Sequence, residues 1–396
     1  MTGARVGEDH PASQGPEAVA VDSGDLLRPV RPDVRRRSAD EEDRRPRDQP
    51  HLLGRFGYVV LMVCLAIGSV FTLMLSVSVG ALSIPLGDVA TVVWSHLTGQ
   101  GESTDVEPVI DQVVWEFRFP RALLAFVVGS GLAVAGTALQ ALVRNPLADP
   151  YILGIASGAS LGAVIVIVLG SAFLLGLGVA AAAFVFALAT MFVVLVLGRQ
   201  GGRLQPTRML LAGVALSFVL SAATSYVQFQ ADPRELRTVL NWLLGSLAAA
   251  DWPDVTRAAP VVLLSTAWLV LRGRDLNALL FGEESAHALG VNVNRFRLEI
   301  VLVSCLLTAS VVAVAGAIGF VGLVIPHIVR LLVGPDHRRV LPACLLLGGL
   351  YLMAVDILSR VLERPAEVPL GILTSAIGVP VFLLLLRRQG RLAEAS

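Results

Sequence analysis

The sequence of 396 residues contains no lysine, so all 31 of its Lys and Arg positions are arginine. The phosphate-binding motif G-x-x-x-x-G-K-[ST] requires a lysine and therefore cannot occur in this chain. This absence excludes ATP hydrolysis of the P-loop type by the chain itself. We do not expect the chain to be an enzyme.

Charged residues are scarce as well: they make up 16% of the chain, whereas 55% is hydrophobic. Soluble domains carry about 25% charged residues, so this composition predicts an all-α polytopic membrane protein. About 20 helical residues cross the hydrocarbon core, and we predict ten spans on this basis. The sixth and eighth are short, so totals of nine and eleven stay open. The ten spans are Tyr58–Val79, Ala122–Val143, Ile152–Leu169, Ala172–Leu197, Leu210–Val227, Ala258–Leu271, Ile300–Ala317, Phe320–Val333, Val340–Leu362 and Val368–Leu386.

Cysteine and intramembrane acid are also rare. The three cysteines lie inside apolar stretches, without metal-ligand spacing or an obvious disulfide framework, so we expect no metal and no cofactor. Asp356 is the main carboxylate within a predicted span, and Arg360 follows it by one helical turn. Proton pumps need chains of buried acids, which this sequence lacks. The expected surroundings are membrane lipid, and no nucleic-acid partner is expected.

The distribution of arginine predicts the orientation. Residues 1–55 are rich in Arg, Asp, Glu and Pro, which predicts a disordered Arg-rich tail, and a cleaved signal peptide is not expected because the first apolar run starts late. Arginines gather in alternate loops when this tail is placed in the cytoplasm. The prediction is a cytoplasmic N-terminus, a transmembrane domain over residues 56–390, and a cytoplasmic C-terminal tail over residues 391–396.

Among the arginines that fall on the outer side in this orientation, against the positive-inside rule, are Arg118, Arg121 and Arg360. The first two are one helical turn apart, which predicts that they share a surface, while Arg360 is expected to meet a different point. Two interpretations are open. The arginines either anchor helix ends by snorkelling or by pairing with the local acids Glu116 and Glu363, or they form a docking surface for an acidic partner.

Two motifs lie on the predicted inner side. The first, "RNPLADP", follows the second span and predicts a tight polar turn at Asn145, Pro146 and Leu147. By itself this turn predicts only a connector between helices.

The second inner motif is the segment 275–292, in which Gly282 and Gly290 predict breaks at both ends of a short helix beneath the membrane. Ala286 and Leu289 are predicted to share one face of this helix. The segment either caps the bundle or fits into a cytoplasmic partner.

A faint internal repeat accompanies these motifs. "GSGLAVAG" ends at Gly136 and "ASVVAVAG" ends at Gly316, 180 residues later, and Pro146 and Pro326 keep the same offset. The predicted topology makes the two copies antiparallel, which predicts an inverted repeat of the kind that transporters use.

Together, "RFPRALLAFVVGSGLAVAGTALQALVRNPLADPYILGIASGA", "LLAGVALS", "FGEESAHALGV", "AGAIGFVGLVIPHIVRLLVGPDHR", "DILSR" and "PLGILTSAIGVPVF" resemble the permeases of the FecCD and BtuC type. These are the membrane subunits of type II ABC importers for iron–siderophore complexes, haem and cobalamin. The resemblance covers nearly everything from about Tyr58 onward and does not extend to the N-terminal tail.

The resemblance implies a ten-helix subunit that pairs with a second copy or a close relative around a central pathway. Two cytoplasmic ATPases and an extracytoplasmic solute-binding protein would complete an importer in the plasma membrane that works by alternating access. It also implies that the arginines of R-x-P-R and D-x-x-x-R, here Arg118, Arg121 and Arg360, face glutamates of the binding protein. An iron–siderophore is the expected cargo.

The resemblance also assigns the inner motifs. The turn at Asn145, Pro146 and Leu147 is expected to be the cytoplasmic gate. Two alternatives stay open: an ion-coupled secondary transporter, and a receptor or scaffold without transport. The residues expected to couple the permease to the ATPase are Gly282, Glu283, Glu284, Ser285, Ala288, Leu289 and Gly290.

Overall fold

A computed structural model describes residues 53–80, 82–99, 101 and 105–394. Residues 1–52 of the predicted tail (residues 1–55) therefore lie outside the described residues. Nearly all of the described chain is helical. The two short strands in this part, β1 (Arg199–Gln200) and β2 (Arg203–Leu204), pair antiparallel with Arg199 opposite Leu204.

The helices follow one another with short connections. A π-helical turn (Val113–Arg118) joins α3 to α4, and 3₁₀ turns at Pro150–Leu153 and Ser171–Leu174 precede α5 and α6. In chain order the helices are α1 (Arg55–Ser78), α2 (Leu86–Leu97), α3 (Pro108–Gln112), α4 (Phe119–Val143), α5 (Ile155–Leu169), α6 (Val179–Leu197), α7 (Pro206–Phe229), α8 (Pro233–Leu243), α9 (Trp252–Leu271), α10 (Gly273–Leu280), α11 (Glu283–Ala288), α12 (Val293–Ala315), α13 (Val321–Val333), α14 (His337–Leu362) and α15 (Leu370–Glu394).

The predicted all-α membrane architecture is confirmed. Within the described residues, seven helical stretches are long and apolar enough to cross a membrane: α1, the continuous stretch Pro108–Val143, α6, α7, α9, α12 and α14. Three shorter apolar helices, α5, α13 and the Leu370–Leu385 part of α15, occupy the positions of the other predicted spans. The correspondence with the ten predicted stretches is one to one.

Several predicted boundaries were wrong. The sixth span begins at Trp252 rather than Ala258, because the Asp251 side chain caps the helix by accepting a hydrogen bond from the Asp254 amide at 2.9 Å. The fourth begins at Val179 rather than Ala172, after a turn in which Gly176 has φ of +83°. The last helix, Leu370–Glu394, continues into the predicted C-terminal tail, whose cytoplasmic position stays a prediction.

Helix α4 forms the centre of the bundle. Almost every residue from Phe119 to Leu142 is buried, and α4 packs against α12 and α14. Glycine permits the contact with α14, since a Cβ on Gly129 would overlap the carbonyl oxygen of Gly348. By contrast, α1 and α7 expose most of their apolar side chains, as expected of helices that face lipid or another subunit.

Residues that are 180 positions apart in the two similar runs differ in their local structure. Gly136 lies within α4, whereas Gly316 ends α12 with φ of +71°. Pro146 lies in a turn, whereas Pro326 lies inside α13. The two runs therefore differ in local structure at these positions, and the inverted repeat stays a prediction.

Candidate functional site

At the predicted outer end, Arg121 is bound on both sides by acids. Its Nη1 and Nη2 donate to the two carboxylate oxygens of Glu367, each at 2.8 Å, in a bidentate arrangement. Its Nε and Nη2 donate to Asp356 Oδ1 at 3.1 and 2.9 Å. The Arg121 side chain is only 12% exposed, so this residue ties α4 to α14 and to the loop before α15.

Arg360 shares the same acid. Its Nη2 lies 3.0 Å from Asp356 Oδ2, and its Nη1 donates to the carbonyl oxygens of Ser76 and Val79 at 2.9 and 2.8 Å. Ser76 Oγ accepts a further hydrogen bond at 2.7 Å. The last carbonyls of a helix have no partner within the helix and carry partial negative charge, so Arg360 caps the end of α1.

Arg118 caps the same helix from another side. It donates to the carbonyl oxygens of Val77, Ser78 and Leu82 at 3.0, 3.1 and 2.6 Å. Unlike Arg121 and Arg360, Arg118 makes no ion pair among the described residues and remains half-buried. Its charge is therefore partly available at the surface.

These five residues, Arg118, Arg121, Asp356, Arg360 and Glu367, are called the outer arginine network below. The predicted grouping was wrong: Arg121 and Arg360 meet at Asp356, while Arg118 turns to the end of α1. The bundle brings α4 and α14 into contact, which overrides the one-turn spacing of Arg118 and Arg121. Whether the network also docks a partner stays a prediction.

The acids expected to lie beside these arginines are not their partners. Within the described chain, Glu116 and Glu363 are exposed and form no ion pair with the network. Glu367 takes that place, 246 residues from Arg121, and no spacing in the sequence indicates it. Burial would raise the pKa of Glu367, but the hydrogen bonds and charge of Arg121, with the charge of Arg360, lower it.

At the predicted inner end, α4 ends in the expected polar turn. Arg144 has φ of +53°, and Asn145 Oδ1 accepts a hydrogen bond from the Leu147 amide at 2.9 Å. Asp149 Oδ1 similarly accepts from the Tyr151 amide at 2.8 Å. These side-chain-to-backbone bonds fix the turn, as Asn and Asp do elsewhere. Asn145, Pro146 and Leu147 are exposed, so the turn is confirmed and its role as a gate is untested.

The segment 275–292 forms two short helices. Gly282, with φ of +104°, separates α10 from α11, and Gly290, with φ of +82°, follows α11, which confirms the predicted breaks. The shared face was wrong: Ala286 is buried, whereas Leu289 is 70% exposed, because Leu289 lies beyond the end of α11. Phe281 is equally exposed, so two large apolar side chains border α11 without cover from the described residues.

Glu283 links this segment to the turn. Its Oε1 accepts a hydrogen bond from Arg297 Nη2 at 2.6 Å and lies 3.9 Å from Arg144 Nη2. The hydrogen bond from Arg297 and the charges of Arg297 and Arg144 lower the pKa of Glu283. Sequence reasoning missed Arg144 and Arg297, although both are arginines within the predicted inner loops, because only packing brings them to one carboxylate.

The helix α10 is held more firmly than α11. Asn277 Nδ2 donates to Asp336 Oδ1 at 2.7 Å, and Asn277 Oδ1 accepts from the His337 amide at 2.9 Å. The segment therefore has an anchored half and an exposed half. The exposed half carries Glu284, Ser285, Ala288 and Leu289, four of the residues expected to contact an ATPase.

Comparison with known proteins gives consistent matches. The FecCD transport family matches residues 67–388. The chain is 42% identical over 328 residues to the uncharacterized ABC transporter permease protein YvrB of Bacillus subtilis, covering 81% of this chain and 91% of that protein. It is 40% identical over 347 residues to the hemin transport system permease protein HmuU of Yersinia pestis, covering 87% and 97%.

Two further similarities agree. The cobalamin import system permease protein BtuC of Halobacterium salinarum is 45% identical over 275 residues, covering 69% of this chain and 73% of that protein. A solved structure described as an inward-facing, metal-chelate type ABC transporter is 33% identical with a TM-score of 0.72, covering 83% of this chain and 98% of that one. With its apolar helical bundle and a family match over residues 67–388, the chain is a multi-pass membrane protein that belongs to the FecCD transport family.

Proposed function

We propose that the chain is the permease subunit of a plasma-membrane ABC importer for a metal chelate, with an iron–siderophore as its cargo. Relatives named as permeases for hemin and cobalamin support a large chelate as the substrate class. Two cytoplasmic ATPases, an extracytoplasmic binding protein and a second permease subunit are the partners. ATP hydrolysis belongs to the ATPases, and both termini of this chain lie in the cytoplasm.

The observation that carries this proposal is the uncovered face of the inner segment. Leu289 and Phe281 are each 70% exposed beside the polar residues Glu284 and Ser285. Apolar side chains on a water-facing segment are typical of a protein contact. Because Glu283 also reaches Arg144 next to the polar turn, movement of α11 by an ATPase can be passed to the turn at Asn145.

The turn is the proposed cytoplasmic gate, formed by Asn145, Pro146 and Leu147. Its hydrogen bonds make it a rigid unit, which can open or close a pathway without unfolding. The test is disulfide crosslinking of Asn145→Cys and Leu147→Cys variants in the paired complex, with the exposed Cys64 replaced by serine. Crosslinking in one nucleotide state and not in another is expected. Equal crosslinking in every state contradicts a gate.

The function is tested by reconstituting the chain with its ATPases and binding protein in liposomes. Uptake of a ferric siderophore is expected to require both the binding protein and ATP, while haem and cobalamin serve as competing cargo. Preferred uptake of haem or cobalamin would support the importer function but contradict an iron–siderophore as the cargo. Uptake driven by an ion gradient without ATP would identify a secondary transporter, and binding without uptake would identify a receptor.

A further inference from the structure

A cavity of about 250 Å³ lies between the polar turn and the inner segment. It is far larger than the roughly 10–15 Å³ that a single water needs. Two arginines, two neutral amides, a histidine and an apolar wall contribute to its lining. These residues are Arg144, Arg330, Gln140, Asn145, His337 and Leu280.

Arg330 brings an uncompensated charge to this cavity. Its Nη2 donates a hydrogen bond to Gln140 Oε1, a neutral acceptor. Within the described chain no carboxylate forms an ion pair with Arg330, in contrast to Arg121 and Arg360. A guanidinium has five N–H donors, so Arg330 retains donors for a further ligand. A partly buried charge without a counter-ion beside a cavity of this size favours the binding of an anion there.

The neighbouring groups leave the cavity positive. Arg144 lies 3.9 Å from Glu283, but that carboxylate is held at 2.6 Å by Arg297 and does not line the cavity. His337 Nδ1 is 2.8 Å from Asn277 Oδ1, so the ring is engaged by a neutral partner.

The remaining acid nearby is also turned away. Asp336 Oδ1 accepts hydrogen bonds from Asn277 Nδ2 and the Arg338 amide, at 2.7 and 3.0 Å, and Asp336 is not part of the lining. No carboxylate of the described chain therefore lines the cavity beside Arg144 and Arg330.

We propose that this cavity binds one phosphate group, supplied by the headgroup of an anionic phospholipid or by free inorganic phosphate. Guanidinium groups from two elements can donate to different oxygens of one phosphate. The cavity lies at the ends of α4 and α13, where basic pockets between helices on the cytoplasmic side suit anionic headgroups. The inner position follows from the proposed orientation, but binding requires no transport.

The test uses the full chain, purified in neutral detergent and depleted of lipid. Calorimetric titrations are made with short-chain phosphatidylglycerol, short-chain phosphatidylcholine and sodium phosphate. The affinity for phosphatidylglycerol or phosphate is expected to fall about tenfold or more in Arg330→Gln and Arg144→Gln. The matched control is Arg338→Gln, which removes an exposed arginine of the same face that does not line the cavity and should bind as the wild type does.

The titrations also separate the two sources of phosphate. Binding of phosphatidylglycerol without binding of inorganic phosphate assigns the site to the headgroup, and the reverse assigns it to the free ion. If neither probe binds, or if both arginine variants bind as tightly as the wild type, the proposal is overturned. Should Arg330→Gln fail to fold, Arg144→Gln decides, since this half-exposed side chain is not required for packing. A protein inactive in transport can still give each of these results.

Discussion

The two ends of the helical bundle differ in whether their buried or partly buried arginines have carboxylate partners. In the outer arginine network, Arg121 and Arg360 are balanced by Asp356 and Glu367, so two positive charges meet two negative ones inside the chain. At the inner end, Arg330 has only the neutral Gln140 as a partner among the described residues. The balanced charges of Arg121, Arg360, Asp356 and Glu367 stabilise the fold, whereas an arginine without a carboxylate partner leaves charge for something outside the described residues. We therefore expect Arg121 and Arg360 to have a structural role, and the inner end to bind ligands and partners.

The largest effect that tests this contrast is expected from Asp356→Ala. Asp356 is fully buried and holds two arginines, so its removal leaves two cations without their shared counter-ion. Breaking a buried ion pair in this way costs about 3–5 kcal/mol. The free energy of unfolding of the purified protein, measured by denaturant titration in detergent, is expected to fall by that amount.

The matched control is Asp254→Ala, which removes an acid from an exposed pair with Arg257 at 3.5 Å. Such pairs contribute about 0–1 kcal/mol. Equal losses in the two variants would show that the outer arginine network has no special structural role.

Much of this contrast could not be predicted from the sequence. Hydropathy locates the ten apolar stretches because a bilayer requires about 20 apolar residues per helix, and it places Arg118, Arg121 and Arg360 at helix ends. It does not locate Glu367, since a loop brings this acid to Arg121 only after the bundle has packed.

Similar limits applied at the inner end. The glycines at positions 282 and 290 correctly predicted the breaks around α11, because positive φ favours glycine. Helical spacing wrongly placed Leu289 beside the buried Ala286, since the helix ends before residue 289. The short helices α2 and α8 were not predicted at all, because they are not long apolar stretches.

A smaller effect is expected at Arg118, the arginine of the outer arginine network that has no carboxylate partner among the described residues. Arg118→Glu should weaken association with the binding protein by about 1–2 kcal/mol, between the values for rim and buried charge pairs, and more strongly at low salt. Arg360→Glu is a poor probe of docking, because it also breaks the buried pair with Asp356. Binding is measured by surface plasmon resonance at two salt concentrations.

The control for docking is Arg257→Glu, which reverses a more exposed arginine at the same predicted end. Loss of affinity in Arg118→Glu alone supports docking through the R-x-P-R motif. Unchanged affinity and salt dependence in Arg118→Glu would show that this arginine serves only to cap α1.

The smallest losses of unfolding free energy are expected from substitution of the two partly exposed glutamates, Glu367 and Glu283. Glu367 forms a bidentate pair with a buried arginine, whereas Glu283 is half-exposed, so Glu367→Gln should destabilise by about 1–2 kcal/mol and Glu283→Gln by less than about 1. Both carboxyls have lowered pKa values in the folded state. Their stabilisation is therefore complete above the unfolded value of about 4.3 and is lost as pH falls through the folded values.

The pH dependence of unfolding between about pH 3 and 6 measures these contributions. The Glu367→Gln variant is expected to lose more of the acid dependence than Glu283→Gln. The opposite ranking would mean that the inner link to Arg144 and Arg297 is the stronger structural contact.

The most direct test of the contrast between a structural outer end and a partner-binding inner end is ATPase stimulation by Leu289→Asp. Leu289 is 70% exposed next to α11, and the matched control is Leu175→Asp, which alters a fully exposed leucine in the loop between α5 and α6. Both variants should insert and unfold as the wild type does. The account predicts that Leu289→Asp abolishes copurification with the ATPases and binding-protein-stimulated hydrolysis, while Leu175→Asp preserves both. Full stimulation of ATP hydrolysis with Leu289→Asp would contradict this account and would show that the segment 275–292 only caps the bundle.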